Sequence, residues 1–335
     1  MKIFILGSGV MGSGIGQVFA MAGHEVTLYD VREDALKKGM ESIGWSLGKL
    51  ASKGVNPDEV MKRISTTTNL QEAKGSSTII EAVYEDLKVK GDALRAVSAL
   101  EKDAVIGSNT SSLPITELSR YVVIPERFLG THFFNPPVLM KLVEVIKGDL
   151  TSEETFNHTV SLMNSLGKYP LPVRKDVFGF VVNRILFRLF TSACSLLERY
   201  SPQEVDYVAM RELGMPMGLF MLLDYTGLDV NYYITKEAER RGFPFRCSVL
   251  EAMVKAGKLG RKSNLGFYDW SKGRPEITAN AGPDPRELLR DALAEVKWLE
   301  DNGVASRDEI ETGVKLGLGI REGLVYLGRK FNIEV

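Results

Sequence analysis

Cysteine is almost absent from this 335-residue chain: Cys194 and Cys247 are the only two. They lie far apart, without the spacing of a metal site or a redox pair, so no metal is expected and a reducing cytoplasm fits. Histidine is scarce too, with three copies, and any imidazole chemistry falls to His24, His132 or His158. No apolar run approaches the roughly 20 residues of a membrane-spanning helix, and no membrane partner is expected. The 42 basic and 43 acidic residues leave a net charge of −1, which provides no positive field for nucleic acid. A strand pattern begins at Lys2 and a glycine loop at Gly7, leaving no room for a leader peptide, and the last three residues are no peroxisomal address. A cytoplasmic protein is the expectation.

What is present is the composition of a globular protein, 44% apolar and 25% charged, long enough for two cores. Short β-rich runs at 2–6, 25–29, 78–83, 104–108 and 128–132 alternate with helical patterns, implying βαβ units and a mainly parallel sheet, which 141–146 and 169–173 would extend. Beyond Val177 the β signal stops and long amphipathic segments take over, first at 179–199. Three regions follow: 1–176, 177–280 and 281–335. The third reads as a partial second copy of the helical region. Residues 201–230 align without gaps on 306–335, pairing Glu204 with Glu309 and Gly218-Leu219 with Gly323-Leu324, while 184–198 resembles 286–300. The chain then stops partway through that copy, as a minimal packing extension or as part of a longer protein.

Gly7, Gly9 and Gly12 spell GxGxxG between a strand and a helical run from Met11 to Met21, and Val10 and Met11 are expected at the cofactor with the glycines. Glycine there allows a tight turn, lets backbone approach a pyrophosphate, and seats helix against strand. Asp30 closes the second strand 18 residues after Gly12, where a carboxylate accepts from ribose hydroxyls and repels a 2′-phosphate. NAD is therefore expected over NADP, with Arg32 as a mild counter-argument. Oxidising a secondary alcohol also needs a base. His24 lies in a turn and His158 in a polar helix, whereas His132 ends a strand, where α/β sheets bind ligands.

His132 sits in Gly130-Thr131-His132-Phe133-Phe134-Asn135-Pro136-Pro137, followed by Met140-Lys141-Leu142-Val143-Glu144. With Glu81-Ala82-Val83-Tyr84-Glu85, Ser108-Asn109-Thr110-Ser111-Ser112, Gly179-Phe180-Val181-Val182-Asn183-Arg184 and 214–229, this chain resembles the 3-hydroxyacyl-CoA dehydrogenase family along nearly its whole length. The resemblance implies a Rossmann-type dinucleotide-binding domain followed by an all-α domain like that of 6-phosphogluconate dehydrogenase. It also implies NAD-dependent oxidation of (S)-3-hydroxyacyl-CoA to 3-oxoacyl-CoA. His132 would be the base and Glu144 its orienting acid. Ser111 and Asn183 would donate to the substrate 3-oxygen, and Glu81, Glu85 and Asn109 would lie at the cofactor. Ser46 and Lys53 would face CoA. For Ser111 and Asn183 the plain alternative is capping, for Glu81 and Glu85 an ion pair, and for Ser46 and Lys53 a solvated helix face.

The chain departs from the family pattern at Leu219, where proline is usual, and at Asn264, where glycine is common. Pro285 falls opposite Asn183 in the second copy, so that copy cannot supply the amide. A homodimer, or a fused enoyl-CoA hydratase in a longer parent, are the larger assemblies the resemblance implies. Two rival functions remain: a dehydrogenase for a free hydroxy acid or sugar acid on a similar two-domain plan, and a non-catalytic NAD-binding or structural protein on the same fold.

Overall fold

The computed structural model describes residues 1–333; residues 334 and 335, the end of the aligned repeat, lie outside the described residues. The chain divides into two compact units, Met1–Val177 and Phe178–Val335.

The first unit is built on one sheet of eight strands: β1 (Lys2–Leu6), β2 (Glu25–Tyr29), β3 (Ile64–Thr67), β4 (Thr78–Glu81), β5 (Val105–Ser108), β6 (Phe128–Phe133), β7 (Leu142–Ile146) and β8 (Tyr169–Val173). Their order is β3-β2-β1-β4-β5-β6-β7-β8. The first six run parallel; β7 pairs antiparallel with β6, and β8 follows β7 in parallel. Pro170 and Pro172 are tolerated in β8 because it is an edge strand. The opposite edge, β3, carries no clear sequence signal: in Ile-Ser-Thr-Thr the two middle residues are exposed, so neither alternation nor an apolar run marks it.

Six helices cover the sheet: α1 (Val10–Met21), α2 (Glu33–Leu50), α3 (Pro57–Met61), α4 (Leu87–Leu100), α5 (Ile115–Leu118) and α6 (Glu153–Ser165). Ile15, Phe19 and Ala20 of α1 join Ile3, Ile5 and Leu28 in the core, each large side chain contributing about 1.5–3 kcal/mol by leaving water. Gly16 lets α1 lie close to the strands, since a Cβ there would meet Leu28 Cδ2 at 2.7 Å.

The second unit is helical: α7 (Val182–Leu196), α8 (Pro202–Arg211), α9 (Leu219–Thr226), α10 (Leu228–Arg240), α11 (Val249–Lys255), α12 (Pro285–Asp301), α13 (Arg307–Gly317) and α14 (Leu324–Lys330). The apolar stripe of α7, with Ile185, Leu189, Ala193 and Leu196, packs along that of α12, with Leu289, Ala292, Val296 and Leu299. The two halves use matching devices. Ser201 with Glu204 and Ser306 with Glu309 each form a capping box. Asp206 accepts from Phe220 N and Met221 N (2.8 and 3.0 Å), as Glu311 accepts from Leu324 N and Val325 N (3.1 and 3.0 Å). The helix start at Leu219 thus survives without proline, and Asn264 holds φ 58, in the left-handed region that favours glycine.

The cysteines correct the expectation drawn from their spacing. Although 53 residues apart, Cys194 and Cys247 are disulfide-bonded, with Cα atoms 5.3 Å apart. The chain after α10 folds back onto α7: Pro244 O accepts from Arg188 Nη1 and Thr191 Oγ1, both at 3.2 Å, and Phe245 stacks on Phe187 at 4.8 Å. Linear separation carries no trace of that return. No described helix is long and apolar enough to cross a membrane.

Candidate active site

The parallel strands β1, β2, β4, β5 and β6 all end at one edge of the sheet, and Gly7, Asp30, Glu81, Ser111 and His132 close or follow them there. Gly7 has φ +104, and a Cβ on it would lie 2.7 Å from Ala82 O. A Cβ on Gly12 would sit 1.9 Å from Gly7 O, whereas one on Gly9 would meet nothing within 4 Å. Two glycines are therefore demanded by the fold and the third opens outward, at the N-terminus of α1 where backbone N–H groups favour an anion.

A cavity of about 720 Å³ begins here, lined among others by Gly9, Met11, Asp30, Val83 and Tyr84. Val10, Val31 and Tyr84 expose large apolar surfaces beside it. Asp30 Oδ2 accepts from Ser8 N and Oγ, both at 3.0 Å, and Oδ1 from Arg32 N at 3.1 Å. The Arg32 guanidinium is bonded to Asp34, which neutralises the cation that a 2′-phosphate would need. The open backbone at Gly9, the apolar wall and the strand-end carboxylate fit NAD.

At the end of β6 the antiparallel register sets His132 directly opposite Glu144 of β7. Opposed residues share a face of the sheet, and His132 Nδ1 lies 2.7 Å from Glu144 Oε2. Both are buried, Glu144 completely. A carboxylate accepting from Nδ1–H selects the tautomer whose lone pair is on Nε2. The ring also packs against Phe134, 4.6 Å between centroids.

Ser111 follows β5, and its loop is organised by Glu85. Glu85 Oε1 accepts from Thr110 Oγ1 at 2.7 Å, Ser111 N at 2.8 Å and Ser112 N at 3.1 Å. Behind it, Glu81 accepts from Lys90 Nζ at 2.7 Å, Ser108 Oγ at 2.5 Å and Val83 N at 2.8 Å. Lys90 also faces Glu85 at 3.2 Å. Burial alone would raise the Glu85 carboxyl, but the Lys90 charge and the bonds from Thr110 and Ser111 hold it below the usual range. For Lys90, burial is outweighed by the two carboxylates and its ammonium is stabilised. Glu81 and Glu85 are thus both ion-paired with Lys90. Asn109 Oδ1 accepts from Phe133 N at 2.9 Å, tying the ends of β5 and β6 together.

Two participants escaped the sequence reading. Lys90 is on α4 and looks like a solvated lysine, but it falls on the buried stripe with Gly91, Leu94 and Val97, a position that signals a buried charge. Lys168 donates to Pro137 O and Met140 O at 2.5 and 2.7 Å, clamping the turn after His132, and burial lowers its pKa to about 8. No spacing rule points to it.

Ser46 is half-buried on α2 and Lys53 exposed just beyond it; on the same helix Lys49 Nζ lies 3.7 Å from the centre of the Trp45 ring. Asn183 belongs to the second unit, in the first turn of α7.

A dinucleotide loop beside a carboxylate-paired histidine at strand ends defines the class of dinucleotide-dependent dehydrogenases. Comparison sharpens this. Residues 2–177 match the model of the 3-hydroxyacyl-CoA dehydrogenase NAD binding domain, and residues 179–270 that of the same family's C-terminal domain. A 3-hydroxybutyryl-CoA dehydrogenase of Clostridioides difficile is 38% identical over 284 residues, 81% of this chain and 100% of that protein. A fatty acid oxidation complex subunit alpha of Psychrobacter sp. is 36% identical over 94% of this chain, which spans 48% of that subunit. The crystal structure of 3-hydroxybutyryl-CoA dehydrogenase from Escherichia coli superposes with a TM-score of 0.89 at 25% identity, covering 98% of this chain and 91% of that one. The chain belongs to the 3-hydroxyacyl-CoA dehydrogenase family: it is an NAD-dependent enzyme of that family.

Proposed function

We propose that the chain interconverts (S)-3-hydroxyacyl-CoA and 3-oxoacyl-CoA, with His132 as the proton-transferring residue and Glu144 as its orienting acid. The observation that carries this reading is the 2.7 Å bond between the two in register across β6 and β7. In the oxidative direction His132 Nε2 takes the proton of the 3-hydroxyl, and Glu144 stabilises the imidazolium that results. The nicotinamide of bound NAD supplies the hydride acceptor. Ser111 and Asn183 donate hydrogen bonds to the 3-oxygen, where negative charge develops as its proton leaves. Glu85 and Lys90 hold the Ser111 loop, and the enclosed Glu81 acts through Lys90 and Ser108. Ser46 and Lys53 contact the CoA moiety, Lys53 as a point charge for phosphate.

The (S) sense is the one the family resemblance implies, and 3-hydroxybutyryl-CoA, named for the relative from C. difficile, is the first substrate to test. Residues 281–335 act as a partial second copy of the helical region, supported by the matching capping boxes and helix-start carboxylates.

The test is NADH oxidation with acetoacetyl-CoA. His132→Gln is expected to lower kcat by about 10²- to 10⁴-fold with NADH affinity retained. A near-normal rate in that variant removes His132 from the assigned role.

A further inference from the structure

The first turn of α7 starts from a costly backbone. Gly179 has φ +76 and Phe180 φ 53, a region in which a phenylalanine is disfavoured and persists only when its surroundings hold it. Asn183 follows three residues later. Its neighbour Arg184 closes the turn: the backbone N–H donates to Gly179 O at 2.8 Å and Nη1 donates to Phe178 O at 3.3 Å.

The Arg184 side chain is 11% exposed and needs a countercharge. That charge comes from 111 residues along the chain, where Glu295 of α12 accepts from Arg184 Nε. The guanidinium also lies over the Trp298 ring of α12, 4.0 Å from its centre, and over the Phe243 ring at 4.5 Å. Arg188, one turn further along α7, stands 3.6 Å from both Glu295 and Asp291. Leucines already line the α7–α12 contact, and a buried ion pair adds little net stability over apolar packing. What the pair adds is one fixed orientation for the cation that closes the turn.

We infer that Glu295 and Trp298 are positioning residues. Acting through Arg184, they hold the first turn of α7, and with it the Asn183 amide, in the geometry that donation to the substrate 3-oxygen requires. The segment 281–335, with Pro285 where Asn183 would stand, is a strut built into the chain for the half that does the chemistry. This inference rests on the reading of Asn183 as a donor to that oxygen.

The experiment uses the full chain with acetoacetyl-CoA and NADH, comparing Glu295→Gln, Asn183→Ala, their double variant, and Glu287→Gln. Glu287 of α12 pairs with Arg199, three residues beyond the end of α7, so its substitution removes an ion pair of α12 without touching Arg184. Misplacing a substrate-positioning group by a fraction of an ångström to an ångström costs about 10- to 100-fold in rate. Glu295→Gln is accordingly expected to lower kcat about 10-fold with the NADH dissociation constant unchanged, while Glu287→Gln leaves kcat unchanged. In the Asn183→Ala background Glu295→Gln has no further effect. Slow Asn183→Ala with normal Glu295→Gln overturns the inference alone, as does an equal loss from Glu295→Gln with or without Asn183. Normal turnover in Asn183→Ala overturns the reading of Asn183 and the inference with it. Should Glu295→Gln not fold, Trp298→Leu, which uncovers no buried charge, gives the same cycle.

Discussion

The carboxylates at the strand ends of the first unit and those around α9 of the second keep opposite company, while Glu295 of the second unit is paired with arginine. In the first, Glu81 and Glu85 face Lys90, and Glu144 faces His132. In the second, Asp206 and Asp224 are fully buried among neutral donors: Asp206 takes Phe220 N, Met221 N and Tyr268 Oη, and Asp224 takes Phe267 N, Tyr268 N and Trp270 Nε1. The consequences diverge. The Lys90 charge and the bonds from Thr110 and Ser111 hold the partly exposed Glu85 below the usual carboxylate range, whereas burial raises Asp224 and lifts Asp206 to about 6. A carboxylate beside a group that exchanges protons can serve chemistry; one surrounded by amide, phenol and indole donors fixes a fold. Burial alone does not separate the two.

The strongest way to break this contrast is Lys90→Met. Removing one partner of a buried pair strands the others, and a loss of about 3–5 kcal/mol is expected in denaturant unfolding, together with lower kcat/KM because the Ser111 loop hangs on Glu85. A loss under about 1 kcal/mol would place the Lys90 cluster with the merely structural acids.

A smaller effect comes from Asp206→Asn, which leaves one fewer acceptor for the start of α9 and costs about 1–3 kcal/mol at pH 4.5. The pH dependence has a definite sign. Because the folded pKa of Asp206 is raised to about 6, the native state holds a proton that the unfolded chain releases near pH 4, so wild-type stability from this group falls as pH rises from about 4 to about 6. The deficit of Asp206→Asn relative to wild type should therefore shrink between pH 4.5 and pH 7. A deficit that grows over that interval would contradict the assignment.

The parts of the molecule legible in sequence are those set by local backbone needs or by short spacing. Gly7 and Gly12 are required by contacts that no side chain survives, and Asp30 follows at a fixed distance along one βαβ unit. His132 and Glu144 are twelve residues apart on neighbouring strands, so a single antiparallel turn suffices to bring them together. The parts that were not legible depend on which face a helix turns inward or on long returns of the chain. Lys90 meets Glu81 only because α4 turns its buried stripe toward the strand ends. Cys194 meets Cys247 only because residues 241–248 fold back over α7, and Arg184 meets Glu295 across 111 residues. In β3 the edge position removes the burial that would have left an apolar pattern.

The central claim is that His132 and Glu144 work as one proton-handling unit. A double-mutant cycle on kcat for acetoacetyl-CoA reduction, using His132→Gln, Glu144→Gln and the pair, tests it directly, because residues acting as a unit show strongly non-additive losses. The account predicts that the double variant is no slower than His132→Gln alone. Losses that multiply would contradict it, showing that the two side chains act independently despite their 2.7 Å contact.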